Sequence, residues 1–595
     1  MRRTFRTFQD LAALVAVASG REPADLYLEG AALLNVYSGE VYPANVAIKG
    51  QRIAYVGGNR TMIGPQTRVL TLRGKTLVPG YIEPHTHITG MSTPEEFARE
   101  VLRTGTTTLV ADTLQILLHT PPDRVAPLLT ALADLPVLIV WSLRLHGSSP
   151  LQDETMFSPE EIERLLGVEV VRVVGEITRW PAVYHGDDDL LHKIAAALAA
   201  GRRIEGHAPG ASYERLAALA AAGWSSDHEA ITADEVVHRL RAGVYTMLRH
   251  SSLRPDLATL APAVTEARSR SGRLMLTADG PEAVTIVERG YMSHVIREAI
   301  EGGIPEIAAF QMATINPAAY LGLDEEIGGI GPGRRADIVA LDDLRDPTPH
   351  LVLARGEVAV LDGRVQAAIP AFPWNEYFRP RFRPTWTPQP DLFALRVAAS
   401  PDGAAPRRFP VIRLENSVIT RKVDTPMSVR DGCLVPPPDA VRAILLDPAG
   451  GWIVPGVLAN FVSRLGGLAS SFNVVAHLLT LGQNPSDMAR AARRLLEIGG
   501  GIVIVEDGKI VLEIPLPIGG VMAPRSLPAI AAQAAPLYAF LRSRGYPHQD
   551  PHYTLLFLPL DSLPDIRLTY RGVWDVRRGK VLVPRQDLPA PGSIR

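Results

Sequence analysis

The chain is predicted to be α/β and built on a (β/α)8 barrel, and three observations predict it. Strand-like and helix-like stretches alternate through the middle of the chain, and eight apolar runs there read as strands. Eight such units in about 250 residues match the usual length of a closed barrel. Short strand-like segments bracket this middle on both sides, and a further unit follows it. A doubly wound open sheet competes with the barrel, because strand count alone does not exclude it.

Taken in order, the N-terminus MRRTFRTFQDLAALVAVASGREPAD has the basic start of a leader, but Asp10 interrupts a short apolar run. An amphipathic opening helix is the expectation. The segments ADLYLEG, ALLNVY, NVAIKG, RIAYVGG and VLTLRG are separated by turn residues and read as strands. Similar strands return in GPGRRADIVALDD, LVLARGEVAVLDG and RVQAA. Residues 1–76 and 326–369 are therefore expected to form one small, split β-sandwich domain with the opening helix.

Residues 77–325 are assigned to the barrel. Its strands are TLVPGYIEPH, GTTTLVAD, PVLIVWSL, VEVVRVVGEI, RRIEGHA, WSSDHEA, VYTMLRHSS and RLMLTADG. Residues 370–400 form a connector rich in proline and aromatics (PAFPWNEYFRPRFRPTWTPQP), expected to pack on a surface. Residues 401–595 read as a second α/β or α+β domain, with a helix over Pro485–Ile498 and strands in GIVIVEDGKIVLEI.

Composition narrows the class. A formal charge of −2 over 595 residues gives no general attraction to nucleic acid or anionic membrane. No apolar run is long enough for a bilayer, and the single cysteine, Cys433, forms no disulfide framework. The expectation is a cytoplasmic homo-oligomer acting on a small molecule.

The chemistry lies in what ends the strands, because the C-terminal rim of such a barrel carries the active residues. The first ends in Glu83-Pro-His85-Thr-His87, the fourth in Glu176 and the fifth in His207. The sixth ends in Asp227-His228-Glu229 and the eighth in Asp279. These side chains suit a divalent cation, and His85 and His87, two residues apart on a strand, can chelate one ion. Glu176 can bridge to a second ion completed by His207 and His228. Asp279 can ligate or serve as the base that takes a proton from water and returns it to a leaving nitrogen. Arg249 and Ser251, at the end of the seventh strand, are candidate substrate contacts. Glu83 and Glu229 are candidates for proton donation to substrate, and Glu83 also for substrate binding. Asp112 reads as a neighbour of the ligands or a helix cap. His119, His146, His185 and His192 are expected at the surface, and Glu95-Glu96 on a solvated face. Deamination, amide opening and ester hydrolysis all satisfy this pattern.

The split β domain, PGYIEPHTH, and NPAAYLGL followed by GGIGPGRRADIVALDDL together resemble the amidohydrolase superfamily. More narrowly, GTTTLVAD, GHAPGASYERLAALAAAGWSSDHEAITADEVVHRLRAG and the RHSS segment are similar to bacterial adenine deaminases. So are SSFNVVAHLLTLGQNPSDMARAARRLLEIGGGIVIVEDGKIVLEIPLPIGGVM and PHYTLLFLPLDSLPDIRLTYRGVWDV in the C-terminal unit. The resemblance implies hydrolytic deamination of adenine with two Mn2+ or Fe2+ ions per chain, Zn2+ being an alternative. It implies His85 and His87 on one ion, Glu176 bridging, His207 and His228 on the other, and Asp279 as acid–base. Another aminopurine, a pterin or a cyclic amide is the alternative substrate, and a catalytically silent binding protein the alternative class. The chain departs from the family pattern at Thr89, where glutamate is usual, and at Thr113, Leu114 and Gln115, where the family carries Pro-His-Glu. It departs again at Ala278, and the histidine-rich run of the C-terminal unit is reduced to His477.

Overall fold

Eight parallel strands form the barrel: Tyr81–Thr86, Thr106–Asp112, Leu138–Leu143, Val171–Ile177, Arg203–Gly206, Trp224–Asp227, Tyr245–Arg249 and Leu274–Thr277. Each pairs with the next in chain order, and a parallel bridge between Thr86 and Asp279 joins the last to the first. They are called strands one to eight below. The computed structural model describes residues 7–589 except 134, 150, 152–153, 268–271, 281 and 398–405.

The barrel has an apolar floor and a polar rim. Ile82, Val110, Val140, Val173, Met247 and Met275 pack inside it against Tyr320 and Leu321 of helix Ile315–Leu321. Burying these side chains is the main stabilising term, roughly 1.5–3 kcal/mol for each fully buried large one. His85, Glu176, His207, His228 and Asp279 stand at or just beyond the strands' C-terminal ends.

One predicted strand is two. Thr76–Pro79 pairs with Ile338–Asp343 in the smaller sheet, and only from Tyr81 onward does the chain enter the barrel. ADLYLEG and ALLNVY, in contrast, merge into one strand, Leu26–Asn35, with a register shift between Leu28 and Ala31. The smaller sheet has nine strands drawn from both sides of the barrel sequence. Helix Phe8–Ala18, opened by a Thr7–Asp10 capping box, buries Ala16 and Val17. The box satisfies backbone N–H groups that a helix start otherwise leaves open.

The C-terminal domain is a ten-stranded sheet with helices Pro485–Glu497, Leu527–Ser543 and Pro551–Phe557. It sits over the barrel rim. Met522–Ala523 pairs in parallel with Met91–Ser92, just beyond strand one. Tyr538 donates to Glu282 at 2.7 Å, Tyr553 donates to the Gly280 carbonyl, and Gln549 donates to the Ser252 carbonyl at 2.9 Å. In the connector, Trp374 and Phe378 are buried, and Trp374 Nε1 donates to Glu95 at 3.0 Å. Glu95 is therefore buried, against the expectation of a solvated face. His119 and His146 are likewise buried rather than at the surface, His119 under Phe378 and Gly519 and His146 with its Nδ1 2.8 Å from the Gly147 carbonyl oxygen. His185 and His192 are exposed. No helix among the described residues is long and apolar enough to cross a membrane.

Candidate metal centre

Strand geometry brings the rim residues together. Alternation along strand one directs Glu83 and His85 to the same side, and His87 follows just beyond its end. His85 Nε2 and His87 Nε2 lie 3.3 and 3.4 Å from the same oxygen, Asp279 Oδ1. Across the pocket, Glu176 Oε2 is 2.6 Å from His207 Nδ1 and 3.1 Å from His228 Nε2, and those two nitrogens are 3.1 Å apart. Gly175 makes this approach possible: a Cβ there would lie 2.4 Å from the Glu205 carbonyl oxygen on strand five.

Donor spacing fits divalent ions. Ligand atoms held about 2.1 Å from a tetrahedral ion stand about 3.4 Å apart, close to the separations above. Three overlapping sets have ligand atoms within 4.8 Å of one another: His85–His87–Asp279, His85–Glu176–His228 and His207–His228–Glu229. A second observation agrees. Both ring nitrogens of the fully buried His85 lack a well-directed hydrogen bond, although Glu205 Oε1 is 2.8 Å from Nδ1. Buried polar groups are normally satisfied, and a cation beside Nε2 supplies the missing partner.

Protonation states reflect this crowding. Burial alone would lower His87, but hydrogen bonds to Asp112 and Asp279 lift it to about 9. His228, disfavoured as a cation by burial and by His85, is also lifted to about 9 by Glu176 and Glu205. Burial would raise Glu176, yet His207 and Arg144 hold it well below the usual carboxylate range. Asp279 is held down in the same way by His85, His87 and Arg249.

Several expected roles change. Glu83 was expected at the substrate, but it is buried beneath the pocket. It accepts hydrogen bonds from Thr277 Oγ1 at 2.5 Å, Ala278 N at 2.8 Å and His85 N at 3.1 Å. Its carboxyl, pushed up to about 8 by burial, braces strands one and eight instead. Glu229 was expected to donate a proton. Arg249 Nη1 lies 2.5 Å from its Oε1 and, despite burial, holds it ionised, so it stands as an anion 3.5 and 3.6 Å from His207 and His228. Ser251 accepts from the Arg254 backbone N–H at 3.1 Å and shapes its own loop. Arg249 also donates to Asp279 at 3.0 Å, while its Nε and Nη2 are buried without a hydrogen-bond partner. Asp112 does both things expected of it: Oδ1 caps Leu114 N at 2.8 Å and lies 3.7 Å from His87.

Two residues escaped the sequence reading. Glu205 lies between His85 and His228, 2.8 and 3.7 Å from their Nδ1 atoms. It stands two residues before His207 on strand five, so strand periodicity could have found it. Arg144, one residue past strand three, is buried and bonds Asp112 and Glu176, the latter at 2.6 Å through Oε1. That contact takes up the oxygen that a bridging Glu176 would turn towards His87, 3.9 Å away.

Comparison with known proteins places the chain. Residues 76–366 match the amidohydrolase family, and residues 417–580 match the adenine deaminase C-terminal domain. A Halalkalibacterium halodurans protein is 36% identical over 573 residues, covering 96% of this chain and 97% of its own. The adenine deaminase of Moorella thermoacetica is 34% identical, covering 96% of this chain and 97% of its own. The chain belongs to the adenine deaminase family. The adenine deaminase of Ruegeria pomeroyi is 33% identical with the same coverage. Members of the amidohydrolase family use divalent metal, and the rim residues described above are the groups in this family member that can hold it.

Proposed function

We propose that the protein is an adenine deaminase, converting adenine and water to hypoxanthine and ammonia. The carrying observation is the convergence of His85, His87, Glu176, His207, His228 and Asp279 at one end of the barrel, beneath a C-terminal domain of the adenine deaminase type. His85 and His87 would hold one Mn2+ or Fe2+ ion, with Asp279 beside it. Glu176 Oε2, His207 and His228 would hold a second, with Glu229 in reach. Such ions, when bound, bring the pKa of water towards neutrality and polarise the electrophile.

The chain's own groups do the rest. Asp279, kept ionised by His85, His87 and Arg249, accepts a proton from the attacking water. A bond forms from the water oxygen to C6, and the C6–N6 bond then breaks. Asp279 passes its proton to the departing amine, which leaves as ammonia, and the second water proton ends on ring N1. Arg249, whose Nε is buried without a hydrogen-bond partner, would bond an acceptor nitrogen of the purine. The C-terminal domain packs over the rim.

The test is to load the full-length protein with Mn2+, Fe2+ or Zn2+ and follow ammonia and hypoxanthine formation from adenine. Turnover of another aminopurine, a pterin or a cyclic amide, with none of adenine under any metal, would overturn the substrate. Asp279→Asn is expected to retain most metal while losing about 10²–10⁴-fold in kcat. Metal loss equal to that of His207→Ala would make Asp279 chiefly a ligand.

A further inference from the structure

A second ligand cluster lies outside this centre and shares no residue with it. His250 follows strand seven directly, while His294 and Glu298 stand one turn apart on helix Met292–Glu301, so both face the same way. His294 Nδ1 is 3.6 Å from Glu298 Oε1, and His250 Nε2 is 3.9 Å from Glu298 Oε2. The two imidazoles meet edge to face, 5.2 Å between centroids. One donor atom from each of the three residues lies within 4.8 Å of the others.

These contacts are too long for hydrogen bonds, which need about 2.7–3.2 Å. They are close to the ligand–ligand edges of about 3.4 Å that a tetrahedral ion imposes. His250 Nδ1 is also buried with no hydrogen-bond partner, which is unusual for a buried polar atom. Solvent reaches the cluster on one side, since the side chains of His250 and His294 are 12% and 8% exposed and that of Glu298 is 31%. Arg297, on the same helix, is drawn away by Asp346 and Thr348 at 2.8 and 2.9 Å.

We propose that His250, His294 and Glu298 form a separate Zn2+ site, with water as fourth ligand, that fastens the loop after strand seven to helix Met292–Glu301. Two imidazoles and one carboxylate form a donor set that zinc takes readily. The site's position gives it a purpose. His250 stands between Arg249, the last residue of strand seven, and the loop residues Ser251 and Arg254. Arg249 bonds Glu229 and Asp279, and Arg254 approaches Glu229 at 3.5 Å. An ion on His250 holds this arginine wall in place without touching the reacting atoms.

The experiment titrates metal-free, full-length protein with Zn2+ against a chromophoric chelator, for wild type, Glu298→Ala and His294→Gln. Wild type is expected to take up about one equivalent more than either variant, the stoichiometry of a single three-ligand site. Only the difference is read, so occupancy of the barrel centre does not enter. Zn2+ should also raise the Tm of wild type more than that of Glu298→Ala. Equal uptake by wild type and Glu298→Ala overturns the site. Glu298 is the more exposed residue, so its variant carries the test if His294→Gln fails to fold.

Discussion

Among the described residues four histidines are no more than 1% exposed, and they fall into two pairs with opposite chemistry. His85 and His228 are both 0% exposed at the barrel rim, while His119, under the connector's Phe378, and His477, in the C-terminal domain, are both 1% exposed. The rim pair faces Glu205, Glu176 and Asp279. The second pair has no hydrogen-bond partner on either ring nitrogen. His119 stacks on Phe378 at 5.6 Å, and His477 meets Trp452 edge-on at 4.8 Å. Burial, with Arg381 adding to it, pushes each of these rings down to about 3, whereas His228 is lifted to about 9. Burial by itself thus makes imidazole a neutral aromatic. Carboxylates brought in from neighbouring strands are what turn a buried imidazole into part of a cation site.

The comparison breaks most completely if the carboxylates are removed. Glu176→Gln takes away the anion shared by His207 and His228, and activity should fall by about a thousandfold or more as metal is lost. Metal analysis of the purified variant checks this. Full metal content with full activity would mean that the rim histidines do not depend on Glu176.

Acidity tests the same point without mutation. His87 and His228 in the metal-free protein stay protonated up to about 9, yet a ligand imidazole must be neutral. Each ion therefore displaces protons below that pH, and affinity should rise about tenfold per pH unit per proton, near a hundredfold from pH 6 to pH 8 for each proton displaced. The sign for folding is opposite. A raised imidazole pKa stabilises the metal-free fold fully below the unfolded value of 6.5, and the contribution drains away as pH climbs through about 9. Metal-free Tm should accordingly fall across the range in which metal affinity climbs, and calorimetry with and without metal measures both.

A smaller effect belongs to Glu205, which touches two rim histidines at their outer nitrogens. Glu205→Gln should weaken metal binding by about 10- to 100-fold, the usual cost of losing a ligand's supporting carboxylate. Unchanged affinity would show that His85 and His228 are held by packing alone.

What could be read from the sequence follows this division. Barrel strands were legible because apolar runs of the right length alternate with helical segments, and His85, His87, Glu176, His207, His228 and Asp279 were legible because they end those strands. Glu205 and Arg144 were not, since their importance comes from cross-strand neighbours that one strand's pattern does not contain. Glu83 and Glu229 were misread for the same reason. Two of the three donors closing on Glu83, Thr277 and Ala278, come from the end of strand eight, and the guanidinium against Glu229 comes from the end of strand seven. His119 looked like a loop histidine because the cover over it, Phe378 and Gly519, lies hundreds of residues further on.

The smallest expected effect falls on the second pair. His477 keeps its two ring nitrogens buried without partners, and an unsatisfied buried polar group costs about 1–3 kcal/mol. Replacing the ring by an apolar side chain removes that cost but also the edge contact with Trp452. His477→Leu should therefore change stability by no more than about 1 kcal/mol in either direction, and leave kcat/KM for adenine and metal content as in wild type. Denaturant unfolding and steady-state kinetics decide it. A drop in kcat/KM with stability intact would show that this histidine reaches the substrate, and the two pairs would then differ in partners but not in purpose.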